Sequence, residues 1–365
     1  MSEERKRILK MIEDQVITAE EAEELLESLK HAENVEKEET EQQQQDLTTK
    51  VDWNAKQEQH YYETESTKKR FMNFVEDAVK KIKNVDLDFN FGHSYQVSHI
   101  FQYEGVSFSE VYLDISNGST KVIPWEEEDV RIECEAKVYN AESRDAARKF
   151  FMDEKKFLVD DDSLRFAIAS KKISASVKLY IPKKEYEKVS LRMFNGSIHS
   201  EHLHAEELRA KTANGSIKLS HMRGDEWDIA SSNGSITLKD IVCNELETES
   251  LNGSIKLDGE FGKVDSQVVN GSIHCDWQGD QGHTGFFKSL TGSIRINLSD
   301  DRRIDGELKT SVGSINCNIP EFRVIEEKKD VLKKELRFEA HPEKEKTLHL
   351  EAETKTGSVK VNSND

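Results

Sequence analysis

From Val189 onward apolar and polar residues alternate with period two, and the same four residues interrupt the alternation at regular intervals. Asn-Gly-Ser-Ile begins at Asn195, Asn214, Asn233, Asn252 and Asn270, at spacings of 19, 19, 19 and 18 residues, with Gly196, Gly215, Gly234, Gly253 and Gly271 in second place. Degenerate copies start at Thr291, Val312 and Thr356, and one stands ahead of the array at Asn117. The step from Val312 to Thr356 is 44 residues, so an inserted segment is expected before the last copy. Two and four residues after each Gly come paired apolar positions: Ile217 and Leu219, Ile236 and Leu238, Ile255 and Leu257. A second column stands six, four and two residues before each Asn, as in Leu208, Ala210 and Thr212 or Trp227, Ile229 and Ser231. Such alternation describes strands with one buried and one wet face.

A repeat this constant predicts a mainly β chain whose equivalent coils stack as a β-solenoid, each turning at its Asn-Gly. Gly provides positive φ and close backbone approach, and Asn tolerates the left-handed region, so the pair is expected to make the bend. Stacked Asn and Ser side chains are then placed to hydrogen-bond from coil to coil and fix the register. The inward column shrinks toward the bend, as it must where two walls converge. Asn-Gly is also a strong hairpin signal, and an antiparallel meander fits the same columns; the constancy of the period favours coils. Ahead of the array, Ser98 to Pro182 reads as strands interrupted by one helix near Ala141 to Lys155. Behind it, Glu335 to Ala352 supplies two charge-rich strands. Both flanks are expected to act as polar end caps.

The N-terminal third follows a different period. Ile8, Leu9, Met11 and Ile12, then Ala22, Leu25, Leu26 and Leu29, lay apolar stripes on two short helices, and Thr18 with Glu21 forms a capping box between them. The resulting helical hairpin, residues 1–31, is too small to be very stable alone, so its seam is expected to dock on a second copy, on the rest of the chain or on a partner. Residues 32–67 are rich in Glu and Gln without periodicity and read as a solvated linker. Residues 68–97 hold an amphipathic helix and a connection. Phe71, Phe74, Val75, Val79 and Ile82 share one helical face among Lys68, Lys69, Arg70, Lys80, Lys81 and Lys83. Two readings fit: a cap over the open end of the β-domain, residues 98–365, or a helix lying on a membrane surface.

Charge sharpens the choice of partner. The net charge is −19, and residues 1–66 hold nineteen acidic against eight basic residues. An anionic surface repels phosphate backbones, so nucleic acid is not an expected partner, whereas cationic peptides and proteins are. With no signal-peptide pattern and no apolar run approaching a membrane span, a cytoplasmic chain, at most peripheral to a membrane, is expected. Cys275 and Cys317 fall in the column of Leu219 and Leu257 and Cys134 alternates with Ile132 and Ala136, so these three read as core residues; Cys243 has no clear place. His199, His202 and His204 lie close in sequence but lack a completing carboxylate or cysteine at ligand spacing, so they read as surface residues. Asp225, Asp228, Asp240, Asp258, Asp265 and Asp276 do not share one column and read as solubilising. No cofactor, metal or catalytic motif is expected.

The stretch from Leu179 through Pro182, Tyr186, Val189 and Leu191 to Asn195 and Ile198 resembles the bacterial β-strand-repeat, adhesin-like family. With the helical hairpin added, the chain resembles its YvlB- and LiaX-like branch, which is associated with cell-envelope stress in Gram-positive bacteria. The resemblance implies a β-helical domain and a role in sensing or buffering envelope damage, including that of antimicrobial peptides, and supplies no catalytic residues. The functional expectation is a non-enzymatic interaction or scaffold protein. A carbohydrate-active β-helix and a peripheral membrane protein are the alternatives.

Overall fold

The computed structural model describes residues 93–160, 162–330 and 333–363. The chain divides into two units, residues 1–64 and 65–365, and all described residues fall in the second. The hairpin, the linker and the amphipathic segment, Phe71, Phe74, Val75, Val79 and Ile82 included, lie outside the described residues.

Parallel pairing decides between solenoid and meander. Along β7 (Glu185–Glu201), β8 (His204–Asn214), β9 (Ile217–Asn233), β10 (Ile236–Asn252) and β11 (Ile255–Asn270), each repeat lies in register on the next. Asn195 pairs with Asn214, Asn214 with Asn233, Asn233 with Asn252 and Asn252 with Asn270. A hairpin would have paired residues across each Asn-Gly in antiparallel fashion; instead the chain bends there and runs on to a second side. Within each pair only Gly takes positive φ, between +151° and +159°, so the bend belongs to Gly and not, as the sequence suggested, to both residues. A second bend follows seven residues after Asn, at His202, His221 and Asp240, all with φ between +51° and +59°. His and Asp are among the few non-glycine residues that accept this region.

Both ends depart from sequence order. The outlying Asn117, in β2 (Glu110–Trp125), pairs with Asn195 and opens the ladder. On its outer side lie β5 (Ser163–Ile168) and β6 (Ile173–Pro182), although they follow it in the chain. Antiparallel strands finish this end: β4 (Lys155–Val159) on β5, β3 (Val130–Tyr139) on β6, and β1 (Ser94–Tyr103) on β3. β1 begins four residues ahead of Ser98, inside the segment read as a connection. The one helix of this region, α1 (Arg144–Glu154), falls where expected and is capped by Ser143.

After β12 (Ile273–Gln278), the far end mirrors the arrangement. β13 (Thr284–Thr291) and β14 (Ile294–Leu298) continue the stack, but their outer neighbours are β19 (Thr347–Thr356) and β20 (Val359–Ser363). Beyond those lie β15 (Arg303–Val312) and β16 (Ile315–Asn318), which come earlier in sequence. The last repeat, at Thr356, is therefore slotted between the repeats at Thr291 and Val312. The inserted segment forms β17 (Phe322–Lys329) and β18 (Lys334–Ala340), paired antiparallel with each other, and β18 closes on β15. Of the two charge-rich strands expected as caps, only β18 is one; β19 carries Leu348, Leu350 and Ala352 inward as part of the stack.

The core follows the two columns. Ile217, Ile236, Ile255, Ile273 and Ile294 are fully or almost fully buried, and burial of each such side chain contributes roughly 1.5–3 kcal/mol. Cys134, Cys243 and Cys275 are buried thiols and Cys317 a partly buried one; burial pushes Cys134 up to about 12 and Cys317 to about 11, so neither is a ready nucleophile.

Candidate functional site

The repeated Asn-Gly residues do come together, into a single line along the stack. Each Asn donates a side-chain N–H to the Oδ1 of the Asn one coil back: Asn195 to Asn117 at 2.9 Å, Asn214 to Asn195 at 2.7 Å, Asn233 to Asn214 at 2.9 Å, Asn252 to Asn233 at 2.9 Å and Asn270 to Asn252 at 3.0 Å. Glycine is required beside them for a reason of space as well as angle. A Cβ on Gly215, Gly234 or Gly253 would stand 2.1, 2.0 or 2.2 Å from the carbonyl oxygen of the Gly in the coil before. That oxygen accepts from the hydroxyl two residues ahead of the next Asn or its counterpart, as in Thr212 to Gly196, Ser231 to Gly215 and, ahead of Thr356, Thr354 to Gly292 at 2.9, 2.9 and 2.8 Å. The narrowing column thus serves hydrogen bonding and not only size. The Thr or Ser recurring at that position was the available signal. The ladder is internally satisfied, which makes it a spine and not a binding site.

A binding surface is better sought on the side that leads into the bend, where side chains seven and five residues before each Asn reach solvent, while those three before it are enclosed at Ala230, Glu249 and Gln267. In register these columns read Lys188, Glu207, Glu226, Glu245 and Lys263; then Arg209, Asp228, Glu247 and Asp265; then Lys211, Ala230, Glu249 and Gln267. The two central coils offer four solvent-reached carboxylates here, Glu226, Asp228, Glu245 and Glu247, and no basic residue in these columns; Glu249, in the third column, is buried. The six aspartates do not share one column, but the register aligns Asp228 and Asp265 with Glu247 between them. Neighbouring coils in a sheet lie about 4.8 Å apart, and like charges directly opposite one another are destabilising.

The rim of this face is paired. Lys188 lies 2.9 Å from Glu207 and holds that carboxyl below the usual range; Lys211 reaches Asp228 at 2.6 Å and Lys263 reaches Glu245 at 3.2 Å. Exposed pairs of this kind contribute about 0–1 kcal/mol each to stability and offset part of the charge of the face. Glu249 is buried, 8% exposed, between Ala230 and Gln267 of the adjoining coils. Burial, with Glu247 and Asp228 adding to it, pushes its carboxyl up to about 8.

The three histidines of the sequence reading are dispersed. His199 sits on the other side of the coil, in register with Lys121 and Lys218, and its pKa is lowered by burial and by those two lysines. His202 stacks on His221 at the second bend, ring centroids 5.0 Å apart, and His221 meets Asp240 at 3.1 Å. His204 pairs with Glu185 at 3.3 Å. Asp258 accepts from Gln278, and Asp276 is partnered by His274 and Asn297. A groove near the N-terminal end is lined by Ser98, Ser119, Ser174 and Ser176 and holds Glu135 as its one carboxylate, where glycoside hydrolysis ordinarily uses two. No helix of the described residues is long and apolar enough to cross a membrane.

Residues 109–362 match the family model described as Toastrack DUF4097, and residues 3–34 match that of a SHOCT-like domain. YvlB of Bacillus subtilis, an uncharacterized protein, is 40% identical over 368 residues that cover 99% of each chain. Among solved structures, an adhesin candidate from Parabacteroides distasonis is 13% identical, covering 73% of this chain and 97% of its own with a TM-score of 0.41. A candidate lipid-binding protein from the same species is 12% identical over the same shares, with a TM-score of 0.39.

Proposed function

The chain belongs to the Toastrack DUF4097 family, in the company of YvlB, and from that premise we propose that it is a non-enzymatic binding protein whose rigid coils present an acidic face to a cationic peptide or protein. One observation carries this reading. Two like-charged pairs, Glu226 with Glu245 and Asp228 with Glu247, are held in direct register in adjacent coils, an arrangement that works against local stability. Residues that work against local stability are characteristic of binding surfaces. The rigid spacing pre-organises the charges, and the segment 1–66 is itself anionic. The resemblance to YvlB- and LiaX-like proteins supports placing the activity in the response to cell-envelope damage, where cationic antimicrobial peptides are a natural ligand class.

The test is fluorescence anisotropy with a labelled Lys/Arg-rich peptide and a variant carrying Glu226→Gln, Asp228→Asn, Glu245→Gln and Glu247→Gln. Binding to the unmodified chain should weaken steeply as salt rises, since exposed charges are screened over about 8–10 Å. The variant should bind at least about tenfold more weakly while melting no lower than the unmodified chain, because like-charge contacts have been removed. Equal affinity in both proteins rules the face out.

A further inference from the structure

The cap at the far end brings together groups that neither the repeat nor the acidic face employs. Phe322 at the start of β17 pairs with Ala340 at the end of β18, and Ala340 pairs with Ile304 of β15. One residue beyond this junction stand Glu321 and His341, with Glu343 just after. One oxygen from each carboxylate and one ring nitrogen of His341 lie within 4.8 Å of one another. The two glutamates are exposed, but His341 is only 5% exposed. Its Nε2 makes no hydrogen bond and lies 3.5 Å from Oδ1 of Asp300, itself a buried oxygen without a hydrogen bond, in the turn between β14 and β15. A buried imidazole nitrogen and a buried carboxylate oxygen, each lacking a hydrogen bond and facing one another, beside two carboxylates, form an incomplete polar cluster. Buried polar atoms are ordinarily satisfied, and a bound ion is one of the standard reasons for an exception.

We infer that Glu321, His341 and Glu343 bind one divalent transition-metal ion, with Asp300 as a fourth ligand or as the carboxylate that orients the imidazole. One nitrogen and two or three carboxylate oxygens form a borderline donor set suited to zinc, and a carboxylate behind a ligating histidine is the usual supporting arrangement. Metal–ligand distances of about 2.1 Å require the three donors to close in slightly, and the exposed glutamates are free to rotate. The ligands come from three connections, those before β15, before β17 and after β18. An ion there ties the antiparallel cap to the stack, a structural role independent of the acidic face.

The experiment uses the full chain, stripped with a chelator and titrated with zinc chloride in a calorimeter, alongside the double variant Glu321→Gln, Glu343→Gln. Both positions are exposed, so the variant should fold, which circular dichroism checks. The unmodified chain should bind one more zinc equivalent than the variant, at least about tenfold tighter than any binding the two share, and its melting temperature should rise with zinc while the variant's does not. Identical stoichiometry and affinity in the two proteins, or a zinc-induced rise in melting temperature common to both, overturns the assignment.

Discussion

Gly234 shows how much a single repeated residue decides. Its φ is +157° and an added Cβ would meet the Gly215 oxygen at 2.0 Å, backbone against backbone, with no side chain able to yield. Gly234→Ala should therefore cost upwards of ~3 kcal/mol, read as the shift of the urea midpoint, because strain and overlap add. Gly105 is the control. Its φ is +65° but nothing lies within 4 Å of an added Cβ, so Gly105→Ala should cost only about 1 kcal/mol. Glu249 provides a titration. A carboxyl raised on folding from its ordinary 4.5 to about 8 binds a proton in the folded chain that the unfolded chain has lost, so stability falls as pH climbs through that window. Gln267 already occupies the same column one coil on. Glu249→Gln should accordingly raise the melting temperature at pH 8.5 and leave it nearly unchanged at pH 5, where the carboxyl is protonated. A gain of equal size at both pH values contradicts the assigned cause. At this scale the Asn ladder was legible, since it needs only identical residues at a constant period. The burial of Glu249 was not, because a position three residues before Asn alternates outward and nothing in the spacing marks it as enclosed.

At the scale of elements, the position of β19 and β20 carries the strongest consequence. They separate β13 and β14 from β15 and β16, so the chain's penultimate coil depends on its last one. A chain truncated before Lys333 retains the whole of β15 and β16 yet loses the coil on which they stack. Hydrogen exchange should find the amides of β15 exchanging at unfolded rates in that truncation, while β9 and β10 stay protected. Protection of β15 in the truncated chain contradicts the out-of-order stacking. The 44-residue step revealed that something was inserted but not where the final repeat would lie. The repeats at Thr291, Val312 and Thr356 carry equivalent inward columns, so any two could be neighbours; the choice is made by the β17–β18 hairpin, which occupies the outer side of β15 and leaves its inner side for β19. The metal cluster was equally hidden, since Asp300, Glu321 and His341 are each about twenty residues from the next and meet only through that pairing.

For the whole molecule, the net charge of −19 is concentrated in the segment 1–66, and the fold gathers further carboxylates on the outer face of the central coils. The acidity of the first was plain in composition. That of the second appears only when the coils are placed in parallel register, which turns carboxylates 19 residues apart into neighbours. A regular spine that satisfies its own hydrogen bonds and a face that sets carboxylates opposite one another divide the labour between architecture and binding. The most direct test is zero-length carbodiimide crosslinking of a lysine-rich peptide to the full chain, with the joined residues identified by mass spectrometry. Crosslinks should form at Glu226, Asp228, Glu245 and Glu247; crosslinks confined to the acidic residues of 1–66 would contradict the assignment of the binding surface to the coils.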